Sequence, residues 1–244
     1  MPERIWIIGA SDGIGRELAL AYGRRGTELI LSALREDRLA EIAAQIGGAE
    51  IRPMDVADRA SVQAAADAIA ATGPLDRIVH LAALYDPGRI ADLDPDKAAQ
   101  IIAVNLTGSF HIARFGPPLL RKDGQLALCG SVAGYIGLPQ GQIYSATKAG
   151  VINLAESLRA ERADLDIRLI CPGFVDTQMT RKNDFDMPAI IQPDKAAQAI
   201  MRGLDGRRFE IHFPHRLTRT LKLIRALPYA ASLRLTRRLS RDDG

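Results

Sequence analysis

Cysteine is nearly absent: Cys129 and Cys171 are the only two among 244 residues. So far apart, they make neither a disulfide framework nor a zinc site by spacing. Each ends an apolar run, the setting of a small buried hydrophobe. Histidine is scarce as well, with His80, His111, His212 and His215 alone, none in a spacing such as H-x-x-x-H. No metal is expected. No apolar run reaches the ~18 residues of a membrane-crossing helix. Met1-Pro2-Glu3-Arg4-Ile5 enters an apolar stretch at once, without the basic region, long apolar run and cleavage site of a signal peptide. The expected location is therefore the cytoplasm. Internal repeats, low-complexity tracts and flexible linkers are missing too, which points to one α/β unit of ordinary globular composition.

A general basic character is also lacking, although the net charge is +3. Residues 214–244 hold seven Arg, one Lys and two Asp, so they carry +6 and the first 213 residues carry −3. The basic excess belongs to a tail, and no nucleic-acid partner is expected.

What is present is an alternation of apolar strands and amphipathic helices. Ile5-Trp6-Ile7-Ile8 reads as a buried parallel strand. Gly9-Ala10-Ser11-Asp12-Gly13-Ile14-Gly15 follows, and a helical pattern begins at Arg16. Strand, glycine turn and helix form the context in which backbone N–H groups can approach a pyrophosphate at a helix N-terminus. A plain turn into a helix is the alternative. Glu28 to Ala33 is the second strand, followed by Leu34 and Arg35 with no acid at its tip. An acid there would bond a ribose 2′-OH, whereas an Arg accepts a 2′-phosphate. Arg35 thus tilts the reading toward NADP(H) over NAD(H), with Asp12 opposing and a solvated arginine as the alternative.

Asp37–Ile46 is an amphipathic helix, and residues 51–56 read as a strand ending at Asp55-Val56. Asp55 is suited to an adenine amino group or to capping the next helix. Residues 61–71 are helical, and the fourth strand, Leu75 to Ala83, ends in the small residues Ala82 and Ala83. A helix from about Asp96 to Phe115 contains Asn105, whose amide competes for helix backbone groups and so suggests a task. Ser131 follows the fifth strand, Gln125–Cys129, where open α/β sheets bind ligands. In Tyr144-Ser145-Ala146-Thr147-Lys148 the phenol and the ammonium lie one helical turn apart. An ammonium so placed can lower a phenol pKa of ~10 and make a general acid/base. The sixth strand, Ile167–Cys171, breaks at Pro172-Gly173-Phe174-Val175-Asp176-Thr177; a helix starts near Pro193, and Phe209–Phe213 is a seventh strand. The alternation argues for one doubly wound domain.

Together these residues make residues 4–213 resemble the short-chain dehydrogenase/reductase family. Gly9-x-x-x-Gly13-x-Gly15 looks like its cofactor loop, Asp55-Val56 like its adenine contact, and Pro172-Gly173-x-Val175-x-Thr177 like its carboxamide-binding segment. Asn105, Ser131, Tyr144 and Lys148 match its catalytic tetrad. The resemblance implies a Rossmann-type, doubly wound, seven-stranded parallel sheet with helices on both faces. It implies an NAD(P)(H)-dependent oxidoreductase acting on a carbonyl or secondary alcohol. Tyr144 would move the proton, Lys148 would lower its pKa and hold the nicotinamide ribose, Ser131 would bond the carbonyl oxygen, and Asn105 would help place a relay water. It further implies a homodimer or homotetramer with the Asn105 and Tyr144 helices at interfaces. His80-Leu81-Ala82-Ala83 departs from the family's Asn-Asn-Ala-Gly, and Ile8 stands where Thr is frequent. An idle dinucleotide-binding scaffold is the rival reading, opposed by the complete tetrad.

Substrate contacts are expected from Ser131, Tyr135, Gln142, Tyr144 and Phe174, with Leu84, Tyr85, Ile136, Leu138, Met179, Phe185 and Met187 nearby. Most are apolar, so an apolar substrate is expected, under a lid formed by residues 178–192. The domain is placed at 1–213 and a basic amphipathic helical tail at 214–244. The tail's leucines favour packing on the domain or on a neighbouring subunit. Contact with an anionic membrane is the alternative.

Overall fold

The computed structural model describes residues 2–183 and 187–237. Phe185 and Leu239 lie outside them. The strands are β1 (Arg4–Ile8), β2 (Glu28–Ser32), β3 (Glu50–Ile51), β4 (Leu75–His80), β5 (Leu120–Cys129), β6 (Asp166–Pro172) and β7 (Glu210–Phe213). The helices are α1 (Gly13–Gly23), α2 (Glu36–Gln45), α3 (Arg59–Ala70), α4 (Pro95–Ile102), α5 (Gly108–Phe115), α6 (Gln142–Glu161), α7 (Pro193–Leu204), α8 (His215–Ala226) and α9 (Tyr229–Arg237). All seven strands pair in parallel in the order β3-β2-β1-β4-β5-β6-β7.

Period-two side-chain alternation divides the core into two layers. Trp6, Ile8, Ile78 and Leu128 face α3, α5 and α6. Ile5, Ile7, Val79 and Ala127 face α1, α2 and α7. Every residue of β1 is buried, as its unbroken apolar run requires at the centre of a doubly covered sheet. The chain winds outward from β1 in one direction and from β4 in the other. The crevice at that reversal is where ligands of open α/β sheets bind.

Several boundaries differ from the sequence expectation. The third strand contracts to Glu50–Ile51, although Arg52 and Met54 N–H still donate to Leu31 and Ala33 carbonyls. Pro53 has no N–H with which to continue the ladder. The fourth strand stops at His80; Leu81 N–H still donates to the Ile8 carbonyl (2.8 Å), and the chain then leaves the sheet. The long helix around Asn105 is interrupted by a π-helical segment, Ala103–Thr107. Such wide turns are frequent at functional sites.

Beyond β7, α8 lies against the sheet and buries Thr218 and Leu221. Lys222 pairs with Glu210 of β7, and Glu210 also accepts the Tyr135 hydroxyl. Arg225 Nη1 donates to the Tyr135 carbonyl at 2.8 Å. Among the described residues, no helix is long and apolar enough to cross a membrane.

Candidate active site

The C-terminal ends of the central strands open into a cavity of about 530 Å³. One end is built by the glycine turn. Gly9 has φ +83° and donates its N–H to the Ser32 carbonyl at 2.8 Å. A Cβ on Gly9 would stand 2.5 Å from Ala82 N, and one on Gly15 would run into the Gly9 carbonyl. The turn thus presses against the end of β4, where Ala82 and Ala83 leave room. Asp12 caps α1 by accepting the Gly13 N–H at 2.7 Å. Ser11, Ile14 and Gly15 line the wall beside it. The Asp12 carboxylate offsets part of the positive charge at this helix end, and the first turn of α1 adds no further acid.

Arg35, the N-cap residue of α2, reaches the same cavity past the tip of β2. Ser32 does not: it is buried and its Oγ accepts the Trp6 indole N–H at 2.8 Å. Asp55 and Val56 line the next wall, and the Asp55 carboxylate accepts the Ala57 N–H at 2.9 Å. On the opposite side stand Pro172, Gly173, Val175 and Thr177. These elements give a cleft of small residues, exposed backbone N–H groups and one arginine. It fits a dinucleotide: a pyrophosphate at the α1 N-terminus and an adenosine end toward Arg35 and Asp55.

At the other end Ser131, Tyr144 and Lys148 converge on the cavity. Ser131 caps a 3₁₀ turn by accepting the Ala133 N–H at 3.1 Å, and it bonds the Tyr144 hydroxyl. The Lys148 ammonium is buried and donates to the Cys129 carbonyl at 2.8 Å, 5.7 Å from the Tyr144 ring centroid. The expectation that Lys148 lowers the tyrosine pKa is not met here. Burial dominates and pushes Tyr144 above the usual phenol range, with the Ser131 hydrogen bond pulling the other way. Lys148 is itself pushed below the usual ammonium range by burial. The phenol is therefore protonated at neutral pH.

Asn105 does not line the cavity. It is fully buried in the π-helical segment, accepting the Leu84 N–H (2.7 Å) and donating to the Leu84 carbonyl (2.9 Å) and Thr147 Oγ1 (3.2 Å). Its amide ties the loop after β4 to α6 one residue before Lys148. Both its amide oxygen and its NH₂ are thus engaged within the protein.

Among the expected substrate contacts, Leu84 and Met179 line the cavity. Tyr85 packs edge-on against Tyr144 with centroids 4.8 Å apart, and its hydroxyl donates to Asn183 Oδ1 at 2.6 Å. Tyr135, Gln142 and Phe174 are not part of the lining. Tyr135 is buried and points to Glu210, because the turn after Ser131 carries it back toward β7 and α8. Gln142 Nε2 is buried without a partner among the described residues. The Cys129 carbonyl, Thr147 and the Tyr85–Tyr144 contact escaped sequence reading. A main-chain acceptor leaves no mark on residue type, and Thr147 is visible only as a neighbour of Lys148.

His80, beneath the site, is buried with neither ring nitrogen partnered among the described residues. Burial, then the Lys148 charge, lowers its pKa to about 3, so it is neutral.

Comparison with known proteins agrees with this geometry. The sequence profile described as short chain dehydrogenase matches residues 3–187. The chain is 34% identical over 215 residues to "Probable oxidoreductase EphD" of Mycobacterium tuberculosis, covering 84% of this chain and 35% of that protein. It thus spans about a third of the length of that curated relative. It is 31% identical over 232 residues to an "Uncharacterized oxidoreductase" of Myxococcus xanthus, covering 91% of both. An alcohol dehydrogenase of Thermococcus sibiricus, solved with 5-hydroxy-NADP, superposes with a TM-score of 0.80 at 27% identity, covering 87% of this chain and 96% of that one. The glycine turn, the parallel sheet order and the convergence of Ser131, Tyr144 and Lys148 have one common explanation: the chain belongs to the short chain dehydrogenase family.

Proposed function

We propose that the protein is an NAD(P)(H)-dependent oxidoreductase acting on the carbonyl or secondary alcohol of an apolar small molecule. The observation that carries this reading is one cavity with a dinucleotide cradle at one end and Ser131, Tyr144 and Lys148 at the other. When bound, the nicotinamide supplies or takes the hydride. Tyr144 donates its hydroxyl proton to a carbonyl oxygen, and burial keeps that proton in place until the reaction. Ser131 Oγ–H donates to the same oxygen and stabilises its developing charge. Lys148, anchored on the Cys129 carbonyl, lends positive potential beneath the tyrosine as negative charge grows there. Asn105 fixes the spacing between the Leu84 loop and α6 and acts through position. Leu84, Val104, Met179 and the Tyr85 ring give the substrate end an apolar wall.

NADP(H) is the favoured cofactor. Arg35 lines the cavity beyond the tip of β2, where it would meet a 2′-phosphate, and Ser32 is engaged by Trp6. The Asp12 carboxylate is turned to its capping bond. Titration of protein fluorescence with NADPH and, separately, NADH tests this. Tighter NADPH binding that Arg35→Leu weakens, with NADH unaffected, supports it; preference for NADH overturns it. Failure to bind either overturns the oxidoreductase reading and leaves a scaffold that has lost its dinucleotide site. The assembly is a homodimer or homotetramer through α4–α6, which expose Ile102 and Phe110. Light scattering on the wild type and Phe110→Gln checks that interface.

A further inference from the structure

The last helix, α9, is built inside out, and α8, although it buries Leu221, leaves Leu223 outside. In α9, Ser232 and Thr236 face the protein at 3% and 4% exposure, while Tyr229 (83%) and Leu233 (56%) face away. The buried hydroxyls are satisfied locally: Ser232 donates to the Tyr229 carbonyl at 3.3 Å and Thr236 to the Leu233 carbonyl at 3.2 Å. On α8, Thr218 is turned inward and donates to the Pro214 and His215 carbonyls, whereas Leu223 is 70% exposed. A helix that merely packs on its own domain buries its leucines and exposes its threonines. Scattered single leucines at a surface need no explanation. Leu223, Leu227, Tyr229 and Leu233 are instead four exposed apolar residues within one short stretch from α8 into α9.

Charge identifies the occupant of this face. Between Pro214 and Arg237 the chain has six basic residues and no acidic one. Lys222 and Arg225 are turned to Glu210 and the Tyr135 carbonyl. Arg219 sits one helical turn and Arg216 two turns before Leu223, both exposed, and Arg234 is the neighbour of Leu233. We propose that α8 and α9 form an interfacial anchor that seats the enzyme on an anionic lipid bilayer. The leucines and Tyr229 enter the acyl boundary and the arginines bond headgroup phosphates. A second copy of the chain is the poorer occupant. A two-fold contact through this face sets the same arginines against themselves. The inner side of α8 packs against Gly173, a residue of the cavity wall, since a Cβ on Gly173 would meet Leu217 at 3.0 Å. The anchor is therefore continuous with the wall of the site.

The test is vesicle flotation of the full chain, with phosphatidylcholine alone and with phosphatidylcholine containing phosphatidylglycerol. Two surface variants are compared: Leu223→Gln with Leu233→Gln, and Arg216→Gln with Arg219→Gln and Arg234→Gln. Thermal melting and dinucleotide binding establish that both are folded. The wild type is expected to float with anionic vesicles and to be released by salt. Each arginine removed weakens binding by roughly fivefold. The leucine variant loses flotation on both vesicles. Two results overturn the proposal: no flotation of the wild type, or flotation that neither variant changes. So does a dimer in light scattering that the leucine variant dissociates, because a second copy then covers the face.

Discussion

Replacing Gly9 by alanine asks two things of the glycine turn, and the structure separates them. The first is backbone conformation. Gly9 has φ +83°, a region that costs an L-residue about 1–2 kcal/mol. The second is space. The new Cβ would lie 2.5 Å from Ala82 N, 2.8 Å from Ala82 Cα and 2.9 Å from the Leu81 carbonyl carbon. All three are backbone atoms of the segment leaving β4, so no side-chain rotation relieves them. Overpacking of this kind costs about 1–3 kcal/mol. The sum is about 2–5 kcal/mol. Gly47 supplies the control, with φ +79° and nothing within 4 Å of its built Cβ. Gly47→Ala keeps the first cost and omits the second, so it loses about 1–2 kcal/mol. At roughly 2–4 °C per kcal/mol for a chain of this size, Gly9→Ala melts about 4–20 °C below the wild type. Gly47→Ala melts about 2–8 °C below it by the same scaling. Calorimetry or urea unfolding reads the difference. Only Gly9→Ala loses dinucleotide binding. Equal losses in the two variants would refute the close-approach argument and leave backbone conformation as the whole effect.

Three further outcomes are expected. Tyr144→Phe binds dinucleotide like the wild type but loses about 10²–10⁴ in turnover, the range of a general acid; unchanged turnover in stopped-flow measurements removes Tyr144 from the proton transfer. Asn105→Ala takes the side-chain partner from the half-buried Leu84 N–H and carbonyl, at up to about 1–3 kcal/mol for each group, so urea unfolding shows a loss of roughly 2–6 kcal/mol. A loss below 1 kcal/mol would mean that Leu84 is solvated. His80 is held to a pKa of about 3. The unfolded chain therefore takes up a proton on this ring below pH ~6.5, before the folded one does. Stability from this group is complete above that pH and is lost toward pH 3 by about 1.4 kcal/mol per unit. His80→Leu should flatten the fall between neutral pH and pH 5 in denaturation profiles; a slope identical to the wild type contradicts it.

The order of elements and the residues at the strand ends were legible because they rest on local pattern. Continuous apolar runs such as Ile5–Ile8 belong to strands covered on both faces, and small residues at 82, 83 and 173 follow from close approach. The glycine turn was readable because positive φ and proximity both demand glycine. What stayed hidden depends on tertiary aim. Tyr135 sits only four residues after Ser131, yet the 3₁₀ turn between them directs its ring away from the cavity and onto Glu210. Lys148 is one turn from Tyr144 as its spacing requires. Spacing does not say that the ammonium is drawn to the Cys129 carbonyl, or that burial raises the phenol above its usual range. In the tail the leucine periodicity was visible, but which side of each helix meets the domain was not.

The bonds that α8 makes with Tyr135 bear on where this protein can be divided. Tyr135 ends the turn that Ser131 begins, and it is held at its hydroxyl through Glu210 and Lys222 and at its carbonyl by Arg225. A chain cut after Phe213 would keep every strand and every residue of the proposed chemistry. It would also leave the Glu210 carboxylate without its counter-cation and the Ser131 turn without its outer brace. The C-terminal extension is therefore inseparable from the catalytic half, and a graft of the sheet alone onto another tail would inherit a loosened serine.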